Sequence, residues 1–408
     1  MRNIYERNGV RTVVNAAGPV TRLSGSIMPK EVAEAMSEAS QHCVDIAELQ
    51  AWAGKIIAEI TGAEAGYVTS GAAAGLMLST AACVTGLDPS RMNKLPDTSG
   101  MKNEVIMPRS HRNFYDHAIR AVGVRLIEVG IPDRFSGAGV RDTEAWEIQD
   151  AISENTAAVA YVASEQARPA LYEVVAAAHA RDVPVIVDAA GQLPPQSHLE
   201  KFIAEGADMV CFSGGKAIRG PQSTGILCGR RDLISAAALQ NLDQDVFFDL
   251  WNPPKSLIDK SQLPGAPQHG IGRPCKVSKE DIIGIITALR IFVAEGDEVR
   301  SARWKKTTDE LVKLLEAIPN VSVSVKLNPI KKLTTLRVKL DEQGAQMSAK
   351  DLVRLLMIGK PSVHVDTLDI YDSVFTINPM CLRDGDARSI ASRIQDLLGS
   401  RQKLEVKS

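Results

Sequence analysis

The sequence predicts an α/β protein with a large domain built on a mostly parallel sheet and a smaller C-terminal α+β domain. Three observations carry that prediction. Between Thr143 and Val187 helical and strand-like stretches alternate cleanly, and the strands are near-continuous apolar runs, as a sheet covered on both faces requires. Ser70, His111, Ser164, Asp188 and Ser213 each fall at or just past the end of such a run, where ligands bind in open parallel sheets. Finally, the apolar strand Met209–Phe212 runs into Ser213-Gly214-Gly215-Lys216, and a second apolar strand, Gly225–Cys228, follows closely.

Composition narrows the class. A chain of 408 residues has room for about two or three domains. Its formal net charge of −2 and 4% aromatic content argue against a nucleic-acid binder, which needs a basic surplus or stacking platforms. The six cysteines contain no C-x-x-C pair, so neither a disulfide framework nor a zinc ribbon fits. The seven histidines show no spacing that forces a metal site. The N-terminus has no apolar signal core and no run approaches a membrane span, so a cytoplasmic protein without a membrane partner is expected.

Residues 1–30 read as irregular, with a short strand near Arg11–Val14, then Asn15-Ala-Ala-Gly18 and a helix from Pro29 to about Ser40. This segment has too few apolar residues to fold alone and is expected to lie on the main body or a partner subunit. Apolar residues at helical spacing cover Leu49–Ile60, and Gly62 stops them. The strand Ala65–Val68 leads into Thr69-Ser70-Gly71-Ala72-Ala73-Ala74-Gly75 and an almost wholly apolar, hence buried, helix to Val84. A strand, a Gly/Ser turn and a helix start make a phosphate cradle, because free N–H groups and the helix dipole face the anion.

A polar loop, Leu87–Asn103, precedes the strand Val105–Met107, and His111 lies just past that strand, placed for its ring to lie flat on a cofactor. A helix to Ala121 and the strand Arg125–Val129 complete this unit. Gly137-Ala-Gly139 fails the dinucleotide fingerprint, because Val140-Arg-Asp142 follows it. Next come helix Thr143–Ser153, strand Ala157–Val162, helix Ala170–Ala180 and strand Val183–Val187. Residues 236–270 form a long polar segment, of the kind that is functional or lies at an interface. A helix from about Ser278 crosses Gly296 toward Ile318, and the remainder alternates strands (321–325, 334–338, 363–365, 373–377) with helices (348–358, 386–398), ending in a tail expected to fray beyond Ser400.

Lys216 and Asp188 together give the chemistry. A P-loop is excluded, since Val210 stands where its first glycine belongs and Ala217 where its metal-binding hydroxyl belongs. A strand-end lysine and a strand-end aspartate instead meet the needs of pyridoxal phosphate. The amine forms a Schiff base, and the carboxylate keeps the pyridine nitrogen protonated.

With these motifs quoted, the chain resembles the fold-type-I pyridoxal-phosphate enzymes. Within them it is similar to the group around L-seryl-tRNA(Sec) selenium transferase and D-glucosaminate-6-phosphate ammonia-lyase. The resemblance spans most of the chain and rests on Asn15-Ala-Ala-Gly18, Thr69-Ser-Gly-Ala-Ala-Ala74, Val187-Asp188-Ala-Ala190, Phe212-Ser-Gly-Gly-Lys216 with Gly220-Pro-Gln222, and Arg273-Pro-Cys-Lys-Val-Ser-Lys279. It implies a fold-type-I transferase architecture whose mostly parallel sheet has seven strands. The domains it implies are an N-terminal arm at 1–48, a pyridoxal-phosphate domain at 49–270 and a small domain at 271–408 that begins with the long helix.

Carried over by position, Lys216 is the Schiff-base lysine and Asp188 the partner of the ring nitrogen. Ser70, Gly71, Ala72 and Ser213 contact phosphate, His111 stacks on the ring and Ala190 packs its other face, with Ser164 also lining the cofactor. Arg273, reaching across a dimer interface, and Arg383 are the substrate candidates. The implied reaction is α,β-elimination from a 2-amino-3-hydroxy acid or amino sugar acid, releasing ammonia. Racemisation and β-replacement use the same cofactor residues and stay open. A non-catalytic binding protein of this fold would have lost Lys216 or Asp188. A transferase acting on tRNA would carry an additional N-terminal RNA-binding domain, whereas this chain starts almost at the core-like segment and has no basic substitute. A homodimer or larger homo-oligomer is expected.

Overall fold

A computed structural model describes residues 3–131 and 142–405. The Gly137–Gly139 motif lies outside the described residues. Contacts divide the chain into two compact units, Met28–Ile291 and Met1–Ile27 with Phe292–Ser408. The strands in chain order are β1 (Val13–Ala16), β2 (Ala65–Thr69), β3 (Glu104–Pro108), β4 (Arg125–Val129), β5 (Thr156–Val162) and β6 (Val185–Asp188). They continue as β7 (Met209–Ser213), β8 (Gly225–Gly229), β9 (Val321–Asn328), β10 (Leu333–Leu340), β11 (Ser362–Val365) and β12 (Val374–Ile377).

The unit Met28–Ile291 is built on a seven-stranded sheet of order β2-β8-β7-β6-β5-β3-β4. β8 alone runs antiparallel to its neighbours, and the other pairings are parallel. The reversal follows from connection length. Gly214–Thr224 is too short for the helical crossover that a parallel neighbour needs, so the chain turns back on itself. The strand interiors are buried and supply much of the core, with Tyr67, Val105, Ile186, Met209 and Leu227 joined by Leu78 and Ala81 from helix Ala72–Thr85. Burying each such large side chain stabilises by about 1.5–3 kcal/mol. These strands lack polar alternation because helices shield them from water.

Helix starts follow local chemistry. Asp45 accepts hydrogen bonds from the N–H groups of Ala47 and Glu48 to open helix Ile46–Thr61, and Gly62 in the left-handed region (φ 68°) ends it. Pro29 caps the helix Lys30–Ala39. The loop expected at 87–103 holds a short helix, Pro89–Lys94, opened by Asp88. The long polar segment is shorter than its composition suggested, because helix Arg231–Asn241 takes its first residues.

In the other unit, β12, β10 and β9 form an antiparallel sheet, and β1 pairs in parallel with β11. The N-terminal segment therefore finds its partner strand within the chain, two residues later than the Arg11–Val14 reading. Leu336, Leu352, Phe375 and Ile390 lead the core of this unit. The final helix, Asp386–Glu405, runs past Ser400, where fraying was expected.

Helix Lys279–Leu315 is interrupted at Gly296 (φ 70°, ψ 165°). Arg300, 1% exposed, secures the break. It donates to Glu295 (3.2 Å), to Asp297 (2.6 Å) and to the Phe292 carbonyl (2.6 Å), with its guanidinium 3.8 Å over the Phe292 ring. A buried cation is tolerable only when so fully partnered. Arg300→Ala removes the ion pairs to Glu295 and Asp297 and the bond to the Phe292 carbonyl at a buried position, and is expected to cost about 3–5 kcal/mol. A fall of that size in unfolding free energy, from the denaturant midpoint, checks it.

Candidate active site

Lys216 sits on the turn between β7 and β8. The Gly214 N–H donates to the Thr224 carbonyl (2.8 Å), the Gly220 N–H to the Gly214 carbonyl (2.9 Å) and the Arg219 N–H to the Lys216 carbonyl (3.1 Å). The turn must be glycine-rich for lack of space: a Cβ at Gly215 would lie 2.5 Å from Gln222 Cα. The lysine is thus held on a stiff, tightly packed loop and only its amine is left without a fixed partner.

Asp188 ends β6, the strand next to β7, and its Oδ1 accepts from the Ala190 N–H (3.0 Å). Burial raises its pKa above the ordinary carboxylate value, opposed by that N–H and by Lys216. Burial likewise lowers the Lys216 pKa, and Asp188 opposes the shift. Each therefore feels the other's charge, yet the two form no ion pair. A Cβ at Gly191 would lie 4.0 Å from Lys216 Nζ, so this backbone passes close to the amine with no side chain to crowd it.

The phosphate side is equally specific. Gly71 (φ 98°) precedes helix Ala72–Thr85 with no side-chain cap, and a Cβ there would meet nothing within 4 Å. The first-turn N–H groups of a 14-residue helix are thus left without a side-chain cap, as a helix start that binds an anion requires. Gly225 backs this turn closely, since a Cβ on it would lie 2.5 Å from the Gly71 carbonyl carbon and 2.7 Å from Ala72 N. Ser70 follows β2, and its hydroxyl donates to the Cys275 carbonyl (3.0 Å). Ser213 ends β7.

His111 closes a short 3₁₀ turn after β3 and is 5% exposed. The Val162 N–H donates to its Nδ1 (3.2 Å), which assigns the ring proton to Nε2. That Nε2 is buried without a hydrogen-bond partner. Tyr161 meets the ring edge-on, centroids 4.7 Å apart. Burial pushes the His111 pKa down to about 4, with Asp142 and the Arg168 backbone opposing it in part. Ser164 lies exposed two residues past β5.

Ser70, Gly71, Ala72, His111, Ser164, Asp188, Ala190, Ser213, Lys216 and Arg273 all belong to the unit Met28–Ile291, and Arg383 belongs to the other. Arg273 forms an ion pair with Asp243 of its own chain. The Arg383 N–H donates to Asp386 (2.8 Å) at the start of the last helix. Sequence reasoning missed Gln240 and Asn241. Buried Asn241 donates to the Gly272 (2.7 Å) and Cys275 (3.2 Å) carbonyls and accepts from the Tyr67 hydroxyl (2.9 Å). Gln240 accepts from the Gly272 N–H through its carbonyl (3.0 Å) and from the Ile271 N–H through its side chain (3.1 Å). Together they fix the segment that carries Arg273 and touches Ser70. Two adjacent amides ending an apolar helix were the available signal.

These residues fit pyridoxal phosphate. A half-buried carboxylate and a half-buried amine perturb each other without an ion pair, beside a long helix start that carries no side-chain cap.

Comparisons with known proteins agree. Residues 136–245 match the aminotransferase class-V family. The chain is 32% identical to a 5'-C-glycyluridine monooxygenase-decarboxylase from a Streptomyces species, over 97% of this chain and 92% of that protein. It is 30% identical to D-glucosaminate-6-phosphate ammonia lyase of Salmonella typhimurium, covering 97% and 98%. A solved structure of D-glucosaminate-6-phosphate ammonia-lyase superposes with a TM-score of 0.81 at 29% identity, covering 98% of this chain and 99% of that one.

The low His111 pKa sets a pH dependence. A group whose folded pKa is about 4 against 6.5 unfolded binds fewer protons in the native state. Its contribution is complete above pH 6.5 and is lost as pH falls toward 4. Thermal stability of the cofactor-free protein should fall as pH drops through that window, and His111→Gln should flatten the slope. An identical slope in the variant would refute the assignment.

Proposed function

This chain belongs to the fold-type-I pyridoxal-phosphate enzymes, in the group that includes D-glucosaminate-6-phosphate ammonia-lyase and L-seryl-tRNA(Sec) selenium transferase, and from that premise we propose an α,β-eliminating ammonia-lyase acting on a 2-amino-3-hydroxy acid or amino sugar acid. The observation that carries the reading is the pair Lys216 and Asp188, both half-buried and mutually perturbing without an ion pair.

In this reading Asp188 holds the ring nitrogen, the N–H groups after Gly71 with Ser213 hold the phosphate, and His111 and Ala190 flank the ring. When bound, the cofactor supplies an electron sink conjugated to the substrate's α-carbon. Lys216 takes the α-proton at Nζ. Burial increases the neutral, basic fraction of that amine. The same Nζ then returns its proton to the departing β-hydroxyl, which leaves as water. The unsaturated amine so formed takes up water and yields a 2-oxo acid and ammonia, so atoms balance without an oxidant. Arg273 and Arg383 are the candidates for the substrate's anionic groups.

A homodimer or larger homo-oligomer, working in the cytoplasm, is part of the proposal. Its support is the segment after Asn241, which exposes Phe247 and Leu250 and holds the Gln244 amide buried with neither nitrogen nor oxygen hydrogen-bonded. No helix among the described residues is long and apolar enough to cross a membrane.

One relative favours a second reading. The Streptomyces protein's name describes oxygen-dependent decarboxylation. That reaction needs dioxygen and releases carbon dioxide, whereas elimination needs neither.

Lys216→Ala is expected to abolish the visible absorbance band that borohydride removes from the holoenzyme, and to slow turnover by about 10²–10⁴-fold. A retained, borohydride-sensitive band would place the cofactor linkage elsewhere. For substrates that turn over, 2-oxo acid and ammonia should form at equal rates with and without dioxygen. Oxygen uptake matching product formation would replace elimination by the monooxygenase reading.

A further inference from the structure

The sheets treat their edges differently. At β2, an edge of the large sheet, Gln50 donates to the Val68 carbonyl (2.9 Å) and accepts from the Val68 N–H (3.0 Å). A side-chain amide thus stands where another strand would pair. In the small sheet, Asp366 covers the outer side of β12 by exchanging two backbone bonds with Thr376 (2.9 and 2.8 Å). Among the described residues β9 has no such cover.

The directions of its backbone groups follow from its neighbour. The Leu340 N–H donates to Ser373, and the Asp341 N–H to Asn320 across the sheet. Alternation along β10 then assigns Ser322, Ser324, Lys326 and Asn328 to the β9–β10 ladder, and turns the N–H and C=O groups of Val321, Val323, Val325 and Leu327 outward. Only the Val321 N–H has a local acceptor among these, the Ile318 carbonyl at 3.3 Å. The same four side chains share one face. Val321 and Val323 pack on the C-terminal core, while Val325 and Leu327 are 54% and 59% exposed.

An eight-residue edge of this kind is a template for another strand. Its own sequence identifies which one. Val321–Leu327 reads V-S-V-S-V-K-L, which is nearly palindromic about Ser324. Laid antiparallel on a second copy with Ser324 opposite Ser324, Val323 meets Val325, Val321 meets Leu327 and Ser322 meets Lys326. Apolar side chains stay on one face, the outward groups face each other, and no like charges are opposed. We propose that β9 is a homotypic pairing edge, through which two copies join their three-stranded sheets into one. It is separate from the segment after Asn241.

Sedimentation analysis of the full-length holoenzyme tests this. Val325→Pro removes an outward N–H but no bond of the β9–β10 ladder, a substitution that edge strands tolerate. Leu327→Lys places a charge on the pairing face. Each should halve the mass of the wild-type assembly while turnover and thermal unfolding stay near wild type. Ser324 lies on the two-fold axis in a pair without hydrogen bonds, where Cα atoms stand about 4.5 Å apart, within disulfide reach. Ser324→Cys, with exposed Cys43 changed to Ser, should therefore give a covalent dimer on mild oxidation. Unchanged mass in both edge variants, or no Ser324 cross-link, overturns the proposal.

Discussion

Taking an amine and a carboxylate out of water together is the constraint around which the large unit is arranged. Lys216 and Asp188 both lose hydration, and each shifts toward its neutral form. Such a pair normally closes into an ion pair, because the Coulomb attraction of two buried charges is large at short range. Here no ion pair forms. Asp188 is tied back by the Ala190 N–H, and Lys216 is carried on a turn locked by the Thr224 and Gly214 carbonyls. Keeping the two apart makes both available to a ligand.

The surrounding architecture serves that separation. The antiparallel β8 exists because the lysine turn is short, and its close packing brings Gly225 against the start of helix Ala72–Thr85. Small residues recur there because backbone must approach backbone, and because an anion at a helix start needs N–H groups clear of side chains. Behind them, Gln240 and Asn241 convert a long polar segment into a fixed wall, so that Ser70 and Cys275 meet across more than two hundred positions of sequence.

The other unit solves a different problem with the same physics. Arg300 is buried at a helix interruption, and each nitrogen of its guanidinium has a partner. β1 completes a two-stranded pairing with β11 rather than standing as a free arm. Beside these paired groups, the outward N–H and C=O groups of β9 stand open along a whole strand edge, and that contrast gives the edge its meaning.

By itself, the sequence determined the layer architecture and singled out Lys216 and Asp188 as the candidate pair. Uninterrupted apolar runs declare buried parallel strands, and Lys216 and Asp188 sit at strand ends because such ends are where polar groups reach a ligand without being buried unpaired. Those signals are local, so they survive without coordinates. The tertiary structure alone decided which strand runs antiparallel, where the N-terminal strand pairs, and which outward groups of β9 stay open. It also decided the tautomer of His111, which depends on the Val162 N–H across the sheet, and the parts played by Gln240, Asn241 and Arg300, whose polar side chains look like surface residues in a linear reading. Hydrogen bonds between residues far apart in sequence leave no period or motif, because each requires only that a donor and an acceptor be brought together by the fold.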